Sequence, residues 1–560
     1  MTSSEQTYTL HPYHPRFAAG MAQMWNESDH QWPGTFTRGV PFDEKRILEW
    51  MERVTAIIKF VIEEDQTGKI VGYGDLWDEG NRPGACYVAL LNVHPEHQSK
   101  SLARRMLHEM VNWATENGYD KVTIGTWPAN LKAMPLYKKV GFFWQPGTSV
   151  FMENYIPAVR QLPLAKAFFE RHDWYRDYKR ELKQIEDEMR HPKTGDTKVY
   201  TLRWEADGDL LETVFDRNGQ RLTGLATNDF AAYARIGDSE PAQGVTYPVE
   251  WEVTNTSPRS MTVSLFASGD PGIEITYRAT FALAPGETRL LSSTYRVAPD
   301  APKFEVDDIE KITPRLNTLL VLDGQVVEFG SGLRYRPPVE FSLGPNGITL
   351  TPGQATPVHL QLKNRTKQPL DLTLTLTPAP TFETDWRRET VTVPAGGQAG
   401  LPLVVTPTRG GEVPLTVQAS FTVEGQAITT PAKKLPLLAL EPGGLAAGQD
   451  DDAIIVQNAF FHLKAKRKGG GTSVTSHALK RGAVVIVEEL GPPFVPWDLE
   501  ERHFDLHLAH ENGAVKVTAT VASGRFPGLV LTREMTITAS PLITVRHRVA
   551  NTGTTAHEFQ

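Results

Sequence analysis

The sequence has a single cysteine, Cys86, among its 560 residues. One cysteine excludes a disulfide framework within the chain and any zinc site built from several cysteines. No apolar run approaches the ~18–20 residues that a membrane-spanning helix needs, and the opening stretch MTSSEQTYTLHPYHPR lacks the charged-then-apolar pattern of a secretory signal. These absences predict a cytoplasmic protein without a membrane partner.

An excess of one charge is also lacking. Lysine and arginine total 58 against 66 aspartate and glutamate, for a formal net charge of −8. The chain therefore has no overall basic field, and nucleic acid is not an expected partner. Its length exceeds what one hydrophobic core supports, so several domains are expected.

The chain changes character near Pro157, and the residues before it alternate between helical and strand patterns. Apolar spacing predicts strands at IIKFVIEE, KIVGYGDLW, CYVALLNV and KVTIGTW, and helices over residues 15–27, 43–56, 101–118 and 130–140. Residues 1–157 are therefore predicted to form one α/β domain.

A helical connector is predicted over residues 158–196. Within it Tyr178, Leu182, Ile185 and Met189 fall four, three and four residues apart, which predicts one apolar stripe on a helix from Leu164 to Arg190. The main interpretation is a connector packed on a neighbouring domain, and a recognition helix is the alternative.

From Thr197 onward, short alternating strands separated by Gly, Pro, Asn and Asp predict an all-β region. An internal repeat divides it, because EVTNTSPRSMTVSL and QLKNRTKQPLDLTLTL each hold a strand, a turn that starts at Asn255 or Asn364, and another strand. Asparagine suits that turn since its side chain can bond the backbone two residues on. The spacing is typical of immunoglobulin-like domains, which we expect at 197–336 and 337–442.

Residues 447–560 are predicted to form a larger β-sandwich. The segments LGPPFVPWD, FPGLVLTREM and VRHRVANTGTTAHEF resemble the sandwich shared by galactose-mutarotase-like and glycosidase-associated domains. Such domains normally continue past the point that Gln560 occupies, so the natural protein is expected to be longer. The resemblance implies a glycan or protein partner for the β-domains.

The segment with the most specific chemistry is NVHPEHQSKSLARRMLHEMV, residues 92–111. A strand is predicted to end at Val93 and a helix to begin near Ser101. Unpaired N–H groups and the helix dipole make a helix start a site for phosphate, and Lys100, Arg104 and Arg105 would add full positive charges. The segment therefore predicts a pyrophosphate site.

Two motifs here resemble the GCN5-related N-acetyltransferases (GNAT). Their V-x-P and Gln-x-x-Gly-x-Gly/Ala elements correspond to Val93-His94-Pro95 and to Gln98 through Ala103. Their Asn…Ala…Leu-Tyr…Gly-Phe element corresponds to Asn130, Ala133, Leu136-Tyr137 and Gly141-Phe142. The resemblance covers residues ~7–155 and implies an acetyl-CoA-dependent N-acetyltransferase.

The resemblance also implies a role for each matching residue. Leu91 and Val93 would run beside the pantetheine arm and polarise the acetyl carbonyl, Asn130 would bond to that arm, and Tyr137 would protonate the departing thiolate. The pyrophosphate would be held by the loop and the helix start, namely Gln98, Ser99, Lys100, Ser101, Leu102, Ala103 and Arg104.

The sequence departs from the family at two positions. Ser101 replaces the first glycine of the motif, which fits if the backbone there is helical. Ala89 replaces the strand glutamate that many relatives carry, so the general base is open. The candidates on the preceding strand and its turn are Asp75, Asp78 and Glu79, and His94 is an alternative. No metal is expected to take part.

The acceptor is predicted to be a small-molecule or peptide amine. Trp25 and Trp32 lie in an aromatic-rich stretch after the first helix, and Trp77 could close a pocket from the strand side. The alternative interpretation of this stretch is a loop that covers the core. For the whole chain, the alternative to an enzyme is an inactive or weakly active acyl-CoA-binding scaffold, which Ala89 and Ser101 favour.

Overall fold

In the computed structural model, the first part of the chain is a seven-stranded sheet with helices on both sides. The strand order is β1-β2-β3-β4-β5-β7-β6, and only the β4–β5 pair is parallel. The elements are β1 (Tyr8–Pro12), α1 (Ala18–Ser28), α2 (Glu44–Arg53), β2 (Ile58–Glu64), β3 (Lys69–Asp78), β4 (Ala85–Val93), α3 (Leu102–Glu116), β5 (Lys121–Gly125), α4 (Ala133–Val140), β6 (Phe143–Trp144) and β7 (Phe151–Asn154).

The structure describes residues 7–32, 36–37, 40–80, 82–180, 182–183, 185–187, 189–302, 312–344, 349–377, 379–440, 444–476, 483–488, 498–499 and 502–557.

Alternation along the central strands gives this sheet two cores. Val61 and Ile70 face α1 and α2, whereas the next residues, Ile62 and Val71, face α3. The sheet is therefore covered on both faces, as the α/β prediction requires. The predicted helices and strands before Pro157 are confirmed, with ends shifted by a few residues.

The chain then forms two short helices and a β-sandwich. The elements are α5 (Ile156–Gln161), α6 (Pro163–Phe169), β8 (Tyr178–Lys179), β9 (Met189–Arg190), β10 (Lys198–Ala206), β11 (Asp209–Asp216), β12 (Arg221–Thr227), β13 (Phe230–Ile236), β14 (Thr246–Asn255), β15 (Met261–Gly269), β16 (Ile273–Glu274), β17 (Thr276–Leu283), β18 (Thr288–Val297), β19 (Arg315–Leu322) and β20 (Gln325–Gly332). One sheet runs β16-β18-β14-β13-β12-β11-β10-β8 with β9 beside β10, and the other runs β17-β15-β19-β20.

The predicted helix from Leu164 to Arg190 is wrong. The helix α6 ends at Phe169, and Tyr178 lies in β8, where it pairs with Trp204 of β10. Leu182 and Ile185, which were expected on the buried stripe, are exposed. The spacing of the four apolar residues fits a helix. The segment nevertheless pairs with the edge of the β-sheet, because this pairing buries Tyr178 against Trp204, and tertiary packing outweighs the local helical pattern.

The N-terminal sheet and the first sandwich share a buried interface. Phe143 stacks on Tyr200 with ring centroids 4.6 Å apart, and Tyr155 lies against Phe215 at 4.8 Å. Both pairs join the first sheet to β10 and β11. Residues 1–240 and 246–335 accordingly form one compact unit, in which no unit boundary falls near residue 157.

A second compact unit comprises residues 241–245 and 336–560. Its strands are β21 (Val339–Gly344), β22 (Thr349–Leu350), β23 (Thr356–Asn364), β24 (Leu370–Thr377), β25 (Phe382–Thr384), β26 (Arg388–Val393), β27 (Gln398–Pro407), β28 (Gly411–Val423), β29 (Gln426–Thr429), β30 (Lys433–Ala439), β31 (Leu445–Gln449), β32 (Ala453–Asn458), β33 (Phe461–Lys466), β34 (Thr472–Ser476), β35 (Ala483–Ile486), β36 (Asp505–Glu511), β37 (Ala514–Ala522), β38 (Leu529–Ile537) and β39 (Ile543–Asn551). They form the sheets β21-β23-β27-β25, β22-β30-β28-β24-β26 with β29 on β28, β31-β32-β33-β34-β35, and β36-β37-β38-β39.

The sheet-rich fold predicted after Thr197 is confirmed. Buried Val358, Leu360 and Leu362 alternate with exposed or partly exposed neighbours along β23, as a half-buried strand requires. The immunoglobulin-like and mutarotase-like assignments and the predicted domain boundaries stay predictions. Most of LGPPFVPWD lies outside the described residues.

The repeated asparagine turns are confirmed in atomic detail. The Asn255 side-chain oxygen accepts from Ser257 N at 3.0 Å, and its amide donates to the carbonyls of Arg259, Leu283 and Ala284. Asn364 repeats this pattern with Thr366 N and the carbonyls of Gln368, Val393 and Pro394. In each case one buried amide ties a turn to the following Pro/Gly corner about 30 residues on.

Among the described residues, no helix combines the length and the apolar character that crossing a membrane demands.

Candidate functional site

The strands β4 and β5 separate partway along their length. Their parallel ladder runs from Ala85↔Lys121 to Val88↔Ile124 and stops there, although β4 continues to Val93. A bulge in the β3–β4 pairing between Asp75 and Leu76 leaves Ala89 without a partner in the register. The result is an opening in the sheet beside the second half of β4.

The backbone of β4 presents amides to this opening. Leu90 N is bonded to the Asp75 side chain at 2.9 Å, and His94 N donates to Val71 O at 2.9 Å, so both groups face β3. Because successive N–H groups of a strand point in opposite directions, the amides of Leu91 and Val93 face the side from which β5 has diverged. Donors in this arrangement can stabilise a developing oxyanion.

The loop after β4 approaches α3 through two serines with left-handed backbone. Ser99 has φ 65° and Ser101, the residue before α3, has φ 63°. The right-handed helical backbone that would accommodate a serine at position 101 is therefore not present, because the backbone there is left-handed. This region favours glycine, and a non-glycine residue there costs roughly 1–2 kcal/mol.

Replacing Ser99 and Ser101 together by glycine is expected to raise the free energy of unfolding of the N-terminal unit by about 1 kcal/mol or more, because the strain is relieved at both positions. Hydrogen exchange of α3 amides in the full chain measures this. The matched control is Ser28→Gly at the last position of α1, where φ is −92° and glycine relieves no left-handed strain, so no gain in stability is expected. A loss of stability in the double variant would contradict the strain argument.

The first turns of α3 line a basic groove of about 550 Å³. Lys100 Nζ donates to Tyr8 Oη at 2.9 Å, and Arg105 donates to Tyr8 O at 2.5 Å. The lining residues are Tyr8, Lys100, Ser101, Leu102, Arg104, Arg105, His108, Tyr175 and Arg176. Four of the predicted phosphate-binding residues thus lie in one groove, namely Lys100, Ser101, Leu102 and Arg104.

Gln98 and Asn130 are placed by contacts within the protein. The Gln98 amide donates to the side chain of Gln31 and to Val93 O at 3.4 Å, which ties the loop to the end of β4. Asn130 donates to Thr126 Oγ1 at 2.9 Å and accepts from Ala133 N at 3.3 Å, so its side chain organises the start of α4.

Tyr137 on α4 and Tyr87 on β4 are neighbouring phenols near the point where β4 and β5 separate. Tyr87 pairs with Thr123, one step before the ladder ends. Burial, and secondarily the nearby Tyr87, raises the pKa of Tyr137 well above its usual value. Burial also raises the pKa of Tyr87 to about 12. Both groups are therefore protonated at neutral pH.

Asp75 lies fully buried beneath the β4 bulge. Its carboxylate accepts from Leu90 N at 2.9 Å and from Tyr73 Oη at 3.0 Å. Burial raises the pKa of Asp75 to about 6, against the opposing effect of these hydrogen bonds. A carboxylate with this pKa is ionised at pH 7 and still basic enough to take up a proton.

The three tryptophans that were predicted to contact the amine acceptor differ in their burial. Trp25 is fully buried and stacks on Phe36 with centroids 4.1 Å apart, so it belongs to the core under α1. Trp32 is partly exposed, and its indole donates to Asn92 Oδ1 at 3.3 Å. Trp77 is buried on β3. Of the three, Trp32 has the exposure that a contact with an acceptor requires.

His94, Glu96 and His97 bring possible metal-ligand atoms within 4.8 Å of one another. The His94 Nε2 atom is 2.5 Å from Glu27 Oε2 and 3.4 Å from Lys69 Nζ, while His94 Nδ1 accepts from Glu96 N. A metal would have to displace these bonds beside an ammonium group. The cluster is better explained as a polar network that joins α1, β3 and β4.

The sequence interpretation missed four residues of the groove, namely Tyr8, His108, Tyr175 and Arg176. His108 lies two turns into α3, on the same face as Ser101 and Arg104, so helical spacing alone could have found it. Tyr175 and Arg176 come from a turn after α6, and no local pattern connects that turn to α3.

The comparisons with known proteins concern this N-terminal region. Residues 21–142 match the family model described as the acetyltransferase (GNAT) family. The L-amino acid N-acyltransferase MnaT of Escherichia coli (strain K12) is 26% identical over 102 residues, which are 18% of this chain. The chain spans 59% of the length of that relative.

Similar solved structures each cover about a quarter of this chain. The PaiA N-acetyltransferase of Thermoplasma acidophilum, solved with coenzyme A, is 13% identical and covers 27% of this chain and 99% of its own, with a TM-score of 0.22. A GNAT family N-acetyltransferase of Escherichia coli, solved with CoA, is 21% identical and covers 28% and 84%, with a TM-score of 0.21.

Proposed function

We propose that the protein transfers an acetyl group from acetyl-CoA to a primary amine, because residues 21–142 match the family model described as the acetyltransferase (GNAT) family. The observation that carries this proposal is the opening beyond the Val88↔Ile124 pair, where the amides of Leu91 and Val93 face away from β3. An extended pantetheine arm can bond to such a strand as a missing neighbour would.

The loop before α3 and the basic groove beside it would bind the pyrophosphate of acetyl-CoA. Amides from Gln98 to Ala103 would bind the pyrophosphate at the start of α3, and Lys100 and Arg104 would add charge. The left-handed Ser99 and Ser101 shape this loop. Asn130 would exchange one of its internal bonds for the cofactor arm.

The transfer itself is a direct attack of the amine on the thioester. The C–N bond forms as the C–S bond breaks, and the amides of Leu91 and Val93 would stabilise the negative charge on the carbonyl oxygen. Tyr137 would give its proton to the departing thiolate, and Asp75 is the proposed acceptor of the amine proton. Trp32 is the proposed acceptor contact, and the relative's printed name makes free amino acids the first acceptors to test.

A thiol-release assay on the full chain tests the proposal. Acetyl-CoA is offered with a panel of amino acids, polyamines and peptides, and free CoA is titrated with a thiol reagent. Cys86 is buried, so the protein itself contributes little to the signal. Thiol release that depends on an amine supports the proposal. A rise in melting temperature with CoA but no release with any amine would instead support the scaffold alternative.

Protonation of Asp75 is expected to lower kcat/KM at acidic pH. With its pKa near 6, the carboxylate loses its ability to take up a proton as the pH falls below 6. In wild type, kcat/KM is therefore expected to fall about tenfold for each pH unit below that value. In Asp75→Asn the rate should be low and the break near pH 6 absent, which leaves only the pH dependence of the acceptor amine itself. The amide oxygen can still accept from Leu90 N, so an unchanged profile in this variant would identify Asp75 as an anchor of the bulge only.

A further inference from the structure

The far end of the basic groove is built by residues outside the region that matches the family. The turn after α6 places Tyr175 against His108 of α3, with ring centroids 4.1 Å apart. Arg104 of α3 lies over the Tyr175 ring at 5.7 Å, and Arg176 completes the wall. One end of the groove is thus aromatic, whereas the end near Lys100 and Arg105 is cationic.

The turn that carries Tyr175 is held in a fixed shape. Asp173 Oδ1 accepts from the amides of Tyr175 and Arg176 at 2.9 and 2.6 Å, and Asp173 N donates to the Asp177 side chain. Arg180 donates to Tyr175 O at 2.5 Å and to Lys139 O, which links the turn to α4. The backbone of the turn is therefore fixed before any ligand arrives, and the Arg180 guanidinium lies over the Tyr175 ring at 4.4 Å.

Trp174 anchors the same turn to elements on both sides. Its indole donates to Asn112 Oδ1 of α3 at 3.2 Å, and its carbonyl accepts from Trp204 Nε1 of β10 at 2.8 Å. The side chain is buried. These two hydrogen bonds join the turn to residues far away in sequence, on α3 and on β10. The turn is therefore held against the helix that lines the groove, although it lies outside the residues that match the family model.

His108 carries the polar group that points to a ligand. Its Nε2 atom is buried, and no hydrogen-bond partner is found for it among the residues that the structure describes. Burial, followed by the charge of Arg104, lowers the pKa of His108 to about 4, so the ring is neutral at pH 7. A neutral imidazole can donate to or accept from a heterocycle nitrogen, and a buried one without a partner is costly.

We infer that Tyr175 and His108 bind the adenine base of the CoA donor, Tyr175 by stacking and His108 by a hydrogen bond. This inference rests on the proposed function, because that proposal puts the pyrophosphate at Ser99 to Ala103. From there the rest of the donor has to leave along the exposed face of α3, which Ser101, Arg104 and His108 share. A purine has a π-face for the ring and edge nitrogens for the imidazole.

The test compares donors that differ only at the nucleotide end. Acetyl-CoA, acetyl-3′-dephospho-CoA and acetyl-4′-phosphopantetheine are each used with wild type and Tyr175→Ala of the full chain. The variant is expected to raise KM about tenfold for the two donors that have adenine, because a lost base stack has roughly that effect. For acetyl-4′-phosphopantetheine, KM should change less than twofold, and kcat should be unchanged throughout.

Control variants separate recognition from structure. Tyr175→Phe should behave as wild type, and Tyr119→Ala, which removes a ring at the far end of α3, should leave all three KM values unchanged. An equal rise in KM for all three donors, or no rise for any, would overturn the inference. So would a rise confined to acetyl-CoA, since that pattern belongs to the 3′-phosphate.

Binding calorimetry keeps this inference distinct from the proposed function. If no amine is acetylated, the affinities of CoA, dephospho-CoA and phosphopantetheine still report on Tyr175. A tenfold preference for the two adenine-containing molecules that disappears in Tyr175→Ala supports the inference even then. Equal affinities of all three molecules for wild type would overturn it.

Discussion

Lys121→Met is expected to lower the free energy of unfolding of the N-terminal unit by about 3–5 kcal/mol, because it leaves a carboxylate buried without its partner. Lys121 and Glu153 form an ion pair in which both side chains are only 3% exposed. Lys121 Nζ also donates to Gln220 Oε1 of the first sandwich at 2.8 Å and lies over the Tyr155 ring. The substitution therefore removes three contacts at the interface between the first sheet and the sandwich.

Urea denaturation of the full chain, combined with hydrogen exchange of β5 and β12, measures this loss. Exchange of those amides should accelerate by at least a hundredfold if the loss reaches 3 kcal/mol. Lys166→Met on the exposed face of α6 is the matched control, with an expected change within ~0.5 kcal/mol. Lys121→Met combined with Glu153→Leu should recover most of the stability, since replacing a whole buried pair is often neutral. A single-variant loss no larger than that of the control would refute the role assigned to the pair.

Tyr137→Phe is expected to lower kcat about 10²- to 10⁴-fold while KM for acetyl-CoA changes less than twofold. The phenol is buried, and its pKa is raised by that burial, so it is protonated across the range in which the enzyme would work. Proton donation to a thiolate is needed only as the C–S bond breaks. Loss of the hydroxyl should therefore affect turnover and leave donor binding intact.

Tyr87→Phe is the matched control for Tyr137, because the two buried phenols are neighbours. If Tyr137 is the acid, Tyr87→Phe should retain turnover within about threefold. A large loss in Tyr87→Phe with normal turnover in Tyr137→Phe would assign the role to Tyr87. Because raised pKa values keep both phenols protonated, wild-type kcat should show no alkaline fall from either group between pH 7 and 9.

Local patterns predicted the parts of the molecule that depend on neighbours in sequence. The spacing of Leu102, Met106 and Met110 predicted α3, and Asn255 and Asn364 predicted their turns, because helical periodicity and side-chain-to-backbone bonds act within a few residues. The motif from Val93 to Ala103 located the loop and the groove for the same reason.

The features that the sequence interpretation missed depend on distant partners. Lys121 contacts Gln220, 99 residues away, and Tyr175 reaches His108 across 67 positions, so no window along the chain contains either pair. Trp25 and Trp32 look alike in sequence, yet α2 and Phe36 bury the first and leave the second at the edge. Tyr178 fits a helical stripe but pairs with β10 instead.

The bond from Trp204 Nε1 to Trp174 O has a consequence for the stability of the first sandwich. A ligand that fills the groove holds the 173–177 turn, and through that bond it also holds β10 of the sandwich. Bound ligand at a hundred times its dissociation constant adds about 2.7 kcal/mol to the folded state. If acetyl-CoA fills the groove as proposed, hydrogen exchange of β10 in the sandwich should therefore slow when acetyl-CoA is added.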